Sequence, residues 1–342
     1  MSLWPVYTGG GEPHDGITQL PAPPPWRAFN GKPVLPPPSE EPDDAASSPD
    51  RTHRAETYVV TEQSVELVNA ALYLRRPLLV TGPPGSGKSS LPYAVARELM
   101  LGPVLRWNVT SRSTLDDGLY QYDPLSRLYA AREERTEAFG SPSDIAEHLR
   151  LGPLGTALLP HQRPRVLLID EIDKGDLDLP NDLLNVLEEG QFEIPELVRT
   201  AHRHPKTAVM VAGADLRVPV HRGRIRCHAF PFVVLTSNGE REFPPAFLRR
   251  CVTLELKQPD KQQLKAIVEA HLGRLDHDAL ELVDTFLHRA SGGELATDQL
   301  LNAVYLTRTS GLRGASREQL AEHLMPYLSQ ALEPEGPRPD EF

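Results

Sequence analysis

The chain has 342 residues with 36 basic and 47 acidic side chains, so its formal net charge is −11. This length allows two or three domains of roughly 150 residues, and the acidic total argues against a protein that binds nucleic acid over its whole surface, although it leaves room for a local basic patch. The two cysteines exclude a disulfide framework and a four-cysteine zinc site, while the lack of a ~20-residue apolar stretch and of a secretory signal predicts a cytoplasmic protein without a membrane span.

The chain begins with a proline-rich arm. Residues 1–56 hold 12 of the 34 prolines, and proline favours polyproline II over helix or sheet. Residues 39–52 have the acidic, small and polar composition of a flexible linker. Residues 3–35 carry more large apolar groups than a spacer needs, namely Trp4, Tyr7, Leu20, Trp26, Phe29 and Leu35. Two interpretations stay open: an arm docked on its own body or on a partner, and a mostly mobile tail.

Regular structure is expected to begin near Tyr58. Apolar residues recur at helical spacing through 65–74. The residue three positions after Thr61 is Ser64 rather than Glu or Gln, so no capping box is predicted there. The next segment, RPLLVTG, is typical of a short buried strand that ends at Gly82.

This strand leads into a phosphate-binding loop. Glycines let backbone amides turn toward a phosphate, Lys88 supplies a positive charge at the β- and γ-phosphates, and the hydroxyl of Ser89 can bind Mg²⁺. Ser90 opens the following helix, whose N-terminus carries the positive end of its dipole. The pattern G-x-x-x-x-G-K-[ST] is fitted without a mismatch by Gly82, Pro83, Pro84, Gly85, Ser86, Gly87, Lys88 and Ser89. The loop predicts binding of ATP and Mg²⁺.

A second strand supplies two carboxylates. The apolar run 166–169 predicts a strand buried on both faces. Asp170 follows at its end, where it can hold Mg²⁺, and Glu171 is placed to polarise an attacking water. We assign no chemistry, only a solvated loop, to the charged residues that come next, Asp173, Lys174, Asp176 and Asp178.

Two further signals lie beyond a third strand, 230–236. The amide of Asn238 at its tip can orient the lytic water or contact the γ-phosphate, although Ser-Asn pairs also make turns. A short helix then ends in Arg249 and Arg250. Arginine is suited to stabilising phosphoryl charge from a neighbouring subunit, and a surface salt bridge is the alternative for one of the two.

In this order the motifs resemble those of an AAA+ ATPase. More narrowly, three stretches are similar to the MoxR-like branch: ALYLRRPLLVTGPPGSGKSS, VLLIDEIDKGDLDLPNDLLNVLEEGQFEIPEL and PFVVLTSNGEREFPPAFLRRC. The resemblance covers roughly residues 57–310. It implies an α/β fold, an AAA+ P-loop NTPase domain with a parallel five-stranded sheet in the order 5-1-4-3-2, followed by a small C-terminal helical lid. We therefore divide the chain into an arm (1–56), an ATPase domain (57–257) and a lid with a short tail (258–342).

The resemblance also implies roles for single residues. Asp170 and Glu171 correspond to the Walker B pair and Asn238 to sensor 1. The arginine finger corresponds to Arg249 or Arg250. Arg250 is favoured, because the family usually keeps an arginine directly before the Phe or Cys that starts the last strand. A ring, usually of six subunits, is implied as well.

The lid departs from the family at one point. Three pairs have the spacing of capping boxes, namely Asp260 and Gln263, Asp278 and Glu281, and Ser316 and Gln319. A sensor 2 arginine is expected near the start of the third lid helix, where the sequence has Thr297, Asp298 and Gln299, and Arg308 comes three turns later. Either another arginine replaces it or hydrolysis is slow.

Two regions are candidates for substrate contact. The loop 110–122 faces the pore in AAA+ rings, so Tyr120 and Tyr122 either grip a polypeptide or pack against the body. The segment 199–228 has seven basic residues against Asp215 and a net charge of +6. It suits nucleic acid or an acidic partner, or it is a solvated hairpin. Its histidines and cysteine have no zinc-binding spacing.

The sequence predicts an ATP-hydrolysing machine of the MoxR-like type that forms a ring with itself and remodels a client protein, as a chaperone does. The resemblance makes a von Willebrand A domain protein the expected partner. The first alternative is a nucleic-acid-directed AAA+ motor or a restriction or defence ATPase, and the second is a nucleotide-gated scaffold with slow hydrolysis. Because every motif follows Tyr58, the arm is expected to be dispensable for the ATPase fold.

Overall fold

A computed structural model of the chain describes residues 4–37, 48–133, 143–290, 295–310 and residue 324. The backbone contacts divide the chain into two compact units. The first unit comprises Met1–Ala55, Val60–Val80 and Ser89–Leu254, and the second unit comprises Glu56–Val59, Thr81–Lys88 and Glu255–Phe342. No helix in the described ranges is long and apolar enough to cross a membrane.

The strands form two sheets. Their bounds are β1 Leu78–Thr81, β2 Leu105–Asn108, β3 Tyr120–Tyr122, β4 Leu149–Leu151, β5 Val166–Asp170, β6 Gln191–Glu193, β7 Lys206–Met210, β8 Arg217–His221, β9 Arg224–Arg226, β10 Phe232–Ser237 and β11 Val252–Glu255. The central sheet has the order β11-β1-β10-β5-β2, and the second sheet has the order β3-β4-β7-β8-β9-β6. Numbered along the chain, the central strands run 5-1-4-3-2, which confirms the predicted α/β arrangement.

The helices connect these strands and follow them. Their bounds are α1 Pro49–Glu56, α2 Glu62–Leu74, α3 Leu91–Glu98, α4 Leu115–Leu119, α5 Pro124–Glu133, α6 Ser143–Glu147, α7 Pro153–Ala157, α8 Leu179–Glu189, α9 Pro195–Thr200, α10 Pro245–Leu248, α11 Lys261–Leu272, α12 His277–Ala290 and α13 Thr297–Ser310.

Strand β5 is the centre of the first unit. It is buried along its whole length, and β10 and β2 run parallel to it on either side. Its apolar residues are those of a strand covered on both faces. Ile169 lies opposite Leu235 of β10 and Trp107 of β2, so the residues that end these strands meet at one edge. In parallel sheets this edge is where ligands bind.

The second sheet has one buried and one open face. Exposed and buried positions alternate along β7 and β8, as expected for a sheet that packs on one side only. Val209, Val218 and Val220 join the core of the first unit. The opposite face carries four of the seven basic side chains of segment 199–228, namely Lys206, Arg217, Arg224 and Arg226, together with His221.

The arm is docked on the body of the first unit. The amides of Val6 and Tyr7 donate hydrogen bonds of 2.7 and 3.0 Å to Oδ1 of Asn69 on α2, and Nδ2 of Asn69 donates to the carbonyl of Tyr7 at 2.7 Å. The side chains of Val6 and Tyr7 are fully buried. Trp4 packs edge-on against Tyr73, with ring centroids 5.0 Å apart. For residues 4–37 the docked interpretation therefore holds.

A second anchor of the arm is the carboxylate of Glu98 at the end of α3, which is 1% exposed. It accepts hydrogen bonds of 2.6–3.1 Å from the amides of Thr8, Gly9 and Gly11 and from the hydroxyl of Thr8, and the ring of His14 lies 3.2 Å away. Burial alone would raise the pKa of Glu98, but these hydrogen bonds outweigh it and hold the pKa below its ordinary value.

This packing changes the expected effect of deleting residues 1–56. Val6, Tyr7 and Ile17 are at most 5% exposed, and burial of a side chain of this size stabilises a fold by roughly 1.5–3 kcal/mol. The prediction that the arm is dispensable considered only the position of the catalytic motifs and overlooked this contribution. The deletion is expected to destabilise the first unit instead of leaving it intact.

The carboxylate of Glu98 makes the stability of the docked arm depend on pH. We expect Glu98→Gln to lower the free energy of unfolding at pH 7 by roughly 1–3 kcal/mol, because an amide nitrogen would face the donors of the arm. Since the folded-state pKa is lowered, the stabilisation by the carboxylate is fully present above the unfolded-state pKa and is lost as the pH falls. The difference in Tm between variant and wild type should therefore shrink below a pH of about 4.5.

Thermal unfolding at pH 7 and at pH 4 measures this difference. Glu66→Gln, an exposed change on α2, serves as the matched control and should leave the Tm unchanged at both values. A difference between Glu98→Gln and wild type that is equal at the two pH values would contradict the assignment of the carboxylate as the anchor.

The lid helices have a core of their own in the second unit. It is built from the apolar faces of α11, α12 and α13 and includes Leu264, Val268, Leu282, Val283, Phe286, Leu300 and Val304. The predicted capping box at the start of α11 is confirmed: Asp260 accepts from the amides of Gln262 and Gln263 at 2.8 and 2.9 Å, and the Gln263 side chain accepts from the Asp260 amide at 3.0 Å.

Two predictions of helix starts were wrong. Helix α12 begins at His277, and Asp276 accepts from the amide of Ala279 at 2.8 Å, so the pair Asp278 and Glu281 does not cap it. At α2 a capping box exists, because the hydroxyl of Ser64 reaches back to the Thr61 amide at 3.0 Å while Oγ1 of Thr61 accepts from the Ser64 amide at 3.1 Å. The pair Ser316 and Gln319 lies outside the described residues.

Candidate nucleotide site

The phosphate-binding loop needs its glycines for backbone and for space. Gly85 and Gly87 have φ angles of +73° and +86°, which favour glycine. A Cβ at Gly85 would lie 2.6 Å from the amide nitrogen of Thr297 and 3.0 Å from the side chain of Ala296. The start of α13 therefore packs directly against the loop within the second unit.

Two polar side chains of the loop fit a phosphate ligand. Lys88 is 7% exposed, and its Nζ donates to the carbonyls of Gly82 and Pro83 at 2.7 and 2.8 Å, so its charge lies inside the loop. The hydroxyl of Ser86 is buried and has no hydrogen-bond partner among the described residues. Native structures seldom leave a buried hydroxyl unpaired, and a bound phosphate would supply its acceptor.

Asp170 is the centre of a network at the end of β5. Its Oδ1 accepts from the hydroxyl of Ser89 at 2.7 Å and from that of Thr236 at 2.6 Å. The hydroxyl of Thr236 in turn accepts from the amide of Glu171 at 2.9 Å. Thr236 therefore fixes both acidic residues, although local sequence patterns do not show that the end of β10 lies beside Asp170.

Arg106 completes the surroundings of Asp170. Its Nη2 lies 2.8 Å from Oδ2 of Asp170. Burial alone would raise the pKa of Asp170, but the hydrogen bonds from Thr236 and Ser89 and the charge of Arg106 together keep the pKa below its ordinary value. The carboxylate thus stays charged at neutral pH and suits Mg²⁺, for which carboxylate and hydroxyl oxygens are typical ligands.

Glu171 adopts an unusual backbone conformation. Its φ of +60° lies in the left-handed region, which costs a residue other than glycine free energy and is found where a site holds it in place. The bond to Thr236 provides that restraint. The side chain is 43% exposed, and its Oε2 lies 2.9 Å from Nζ of Lys174. This ion pair raises the pKa of Lys174.

The prediction that Asp173 lies in a solvated loop was wrong. Asp173 is 3% exposed, and its Oδ2 accepts from the hydroxyl of Ser237 and the amides of Asn238 and Glu240 at 2.8, 3.0 and 3.2 Å. One buried carboxylate thus holds the turn that carries Asn238. In the sequence, the acidic residues around Asp173 are typical of an exposed loop. Asp176 and Asp178 are in fact exposed.

Asp173 should influence turnover through this turn. We expect Asp173→Ala to lower kcat by ~10–100-fold with little change in KM, because a displacement of Asn238 by about 1 Å is enough for such a loss. Asp173→Asn keeps an acceptor for the three donors and should retain most of the activity. Phosphate release measures both. Asp178→Ala, an exposed neighbour, is the control, and equal losses in the Ala and Asn variants would contradict a role through the turn.

The two candidate finger residues follow α10 and differ in their contacts. Nε of Arg250 lies 2.7 Å from Oε1 of Glu188 on α8. Arg249 is exposed, and its carbonyl accepts from Arg76 at 3.4 Å. Phe247, which is fully buried, anchors this segment. Both arginines stay candidates for a finger.

The third lid helix begins with the buried Thr297 where a sensor 2 arginine is expected. Arg308 does not stand in for it, since its Nη atoms donate to the carbonyls of Leu272 and Arg274 at 2.9 and 2.8 Å. Arg308 therefore closes the end of α11 within the second unit.

The two tyrosines of the predicted pore loop are half-buried in the second sheet. Burial, together with Glu196, raises the pKa of Tyr120 to about 12. The hydroxyl of Tyr122 accepts from Arg127 at 3.1 Å. Both rings pack against the core of the first unit. These contacts favour the interpretation that the two tyrosines pack against the body. Their contact with a substrate stays a prediction.

In the basic segment, two arginines are held by neighbours. Arg224 pairs with Glu193 at 2.7 Å, and Arg226 donates to Gln191 and Asn30 at 2.6–3.1 Å. Arg217 and Arg222 are exposed, as are Arg199, Arg203 and Lys206.

A phosphate-binding loop after the first central strand, acidic residues after the third and the 5-1-4-3-2 order define a P-loop NTPase of the AAA+ class. The family model of the AAA domain (dynein-related subfamily) matches residues 77–251. This is about half of the chain, and the chain belongs to that family. Its domain is accordingly a nucleotide-binding ATPase domain.

Similar proteins include chaperones and a gas vesicle ATPase. Chaperone protein ClpB 1 of Synechococcus elongatus is 26% identical over 217 residues, which are 59% of this chain and 22% of that protein. Gas vesicle ATPase GvpN1 of Halobacterium salinarum is 31% identical over 166 residues, 46% of this chain and 47% of that protein. The chain thus spans less than half the length of both relatives. A crystal structure of NtrX from Brucella abortus in complex with ADP has a TM-score of 0.40 and 17% identity, covering 85% of this chain and 59% of that one.

Proposed function

We propose that the protein is an AAA+ machine of the MoxR-like type, which hydrolyses ATP at the interfaces of a ring and uses the energy to remodel a client protein. The observation that carries the proposal is the network in which Ser89, Thr236 and Arg106 hold Asp170 beside the Glu171 amide. Residues arranged in this way form no covalent bond to the substrate. They position water and stabilise the charge of the phosphates.

Each residue has one task in this mechanism. Lys88 and the amides of the loop bind the β- and γ-phosphates, and Glu171 orients the attacking water and takes its proton. Asn238 holds that water against the γ-phosphate. Mg²⁺, when bound, neutralises phosphate charge, and Ser89 and Asp170 are the residues that would hold it.

The remaining parts of the proposal concern assembly and partners. We propose a homo-oligomeric ring, in the expected case a hexamer, with Arg250 or Arg249 of one subunit reaching the nucleotide of the next. A protein client is supported by the relatives that are named chaperone proteins. A von Willebrand A domain protein is the expected client. We also propose the domain boundaries 1–56, 57–257 and 258–342.

Steady-state phosphate release tests this function. Turnover per subunit should rise with protein concentration in step with a ring peak in size-exclusion chromatography, because each site needs a neighbour. Turnover that does not depend on protein concentration would contradict the proposed function. So would a Lys88→Ala variant that hydrolyses ATP at the wild-type rate. A slow rate that is unchanged on assembly would favour the nucleotide-gated scaffold.

The exposed basic face of β7, β8 and β9 supports a second candidate, a motor that acts on nucleic acid. Its Lys206 and Arg217 are open to solvent. Fluorescence polarisation with single- and double-stranded oligonucleotides between 50 and 200 mM salt separates the candidates, since binding through phosphates weakens steeply over about this range. Arg217→Ala should reduce the salt slope if this candidate is correct.

A further inference from the structure

The arm reaches the end of helix α8 with a buried arginine. Arg27 lies in the 3₁₀ turn Pro25–Arg27, is 7% exposed, and donates from Nη1 to the carbonyl of Leu187 at 3.0 Å. Its guanidinium carbon lies 5.4 Å from the ring centroid of Phe230. A positive charge at the C-terminal turn of a helix is favourable, because the last carbonyls lack partners in the helix.

The arm also covers the glycine that ends α8. Gly190 adopts the left-handed conformation, with a φ of +60°, and a Cβ there would lie 2.5 Å from the ring of Phe29. Phe29 stacks on Phe230 with centroids 5.5 Å apart. Arg27 and Phe29 therefore both contact the C-terminal end of α8.

That turn carries the acid that orients Arg250. Glu188 directly follows Leu187, and its Oε1 lies 2.7 Å from Nε of Arg250. Because this contact runs through Nε, the terminal nitrogens of Arg250 can still donate to a phosphate. The charges of Arg27 and Glu188 interact as well: burial lowers the pKa of Arg27, and the Glu188 carboxylate opposes the change.

We propose that Arg27 and Glu188 are positioning residues for Arg250, so that the arm of one subunit supports catalysis at the nucleotide of its neighbour. The inference rests on the proposed role of Arg250 as a finger in trans. Arginine has a long side chain with many rotamers, and a fixed Glu188 restricts them before the neighbour arrives. The arm thereby does more than stabilise its own unit.

The test measures phosphate release by rings of Arg27→Met and of Glu188→Gln. We expect kcat to fall by ~10–100-fold with little change in KM, since the finger is misplaced and not lost. Arg27→Lys keeps the charge and one donor and should recover most of the rate. Arg163→Met is the matched control: it removes a different arm contact, an ion pair of 2.9 Å with Asp15, and should retain the wild-type rate.

Mixed rings separate positioning from a structural role. A subunit with Arg27→Met keeps its own Glu171, so it should become active beside a Glu171→Gln subunit that supplies an intact Arg250. Recovery on mixing supports the inference. An unchanged rate in Arg27→Met, or a low rate without recovery while Arg250→Ala does recover, overturns it.

Two other outcomes are also decisive. If neither Arg250→Ala nor Arg27→Met recovers on mixing, the finger in trans is itself wrong, and the inference falls with it. If thermal unfolding shows that Arg27→Met is not folded, Arg27→Gln and Glu188→Gln take its place in the mixing test. Both are judged by the same recovery, and failure of both to recover overturns the inference.

Discussion

Glu171→Gln is expected to bind ATP with an affinity close to that of the wild type and to lose turnover by ~10²–10⁴-fold, the usual contribution of a general base. The carboxamide still fills the position that the Thr236 bond fixes, but it cannot take a proton from water. Asp170 and Ser89 are untouched, so the residues proposed for Mg²⁺ stay in place.

The matched control is Glu240→Gln, an exposed acid on the loop after β10. Glu171→Gln should bind a fluorescent ATP analogue like the wild type but release phosphate much more slowly. Glu240→Gln should match the wild type in both measurements. If Glu171→Gln hydrolysed ATP at the wild-type rate, the assignment of Glu171 as the Walker B glutamate would be wrong. Lys88→Ala gives the opposite pattern, loss of binding, because the only ammonium inside the loop is removed.

The parts of the site that lie in consecutive residues could be predicted from the sequence. The loop from Gly82 to Ser89 needs glycines at fixed positions, and Asp170 ends an apolar strand, so residue types and spacing are sufficient. The order of the central sheet came from the resemblance to AAA+ proteins, since strand order is not contained in local patterns.

The supporting residues could not be predicted, because they depend on which strands are neighbours. Thr236 and Asp170 are 66 positions apart, and Asp173 and Ser237 are 64 apart. Their contacts exist because β10 pairs with β5. Arg106 reaches Asp170 from the other neighbour, β2. Once the order was known, polar residues near the ends of these strands were the signal to look for.

The docking of the arm is a case of a different kind. The prediction that regular structure begins near Tyr58 was wrong, because α1 covers Pro49–Glu56. The contacts of residues 4–37 depend on two side chains of the body, Asn69 and Glu98, which accept hydrogen bonds from the amides of Tyr7, Thr8 and their neighbours. Such contacts have no periodicity. The large apolar residues of the arm were the one indication of them in the sequence.

Arg250→Ala is expected to lower turnover by about 10³–10⁵-fold, the range known for arginines supplied in trans to GTPases, with little loss of ATP affinity. The residue lies on the first unit and pairs with Glu188, so its removal leaves the phosphate-binding loop unchanged. Arg249→Ala should mainly weaken assembly, because that side chain is exposed.

Mixing Arg250→Ala with Glu171→Gln tests whether the site is shared. Each variant is inactive alone, yet in a ring with head-to-tail interfaces about a quarter of the interfaces of an equal mixture combine an intact Glu171 with an intact Arg250. Turnover approaching that fraction of the wild-type rate supports a finger in trans. Absence of recovery, with co-assembly shown by native mass spectrometry, would leave Arg250 as a structural partner of Glu188. Recovery with Arg249→Ala instead of Arg250→Ala would assign the finger to Arg249, because only the residue that crosses the interface can be supplied by the neighbour.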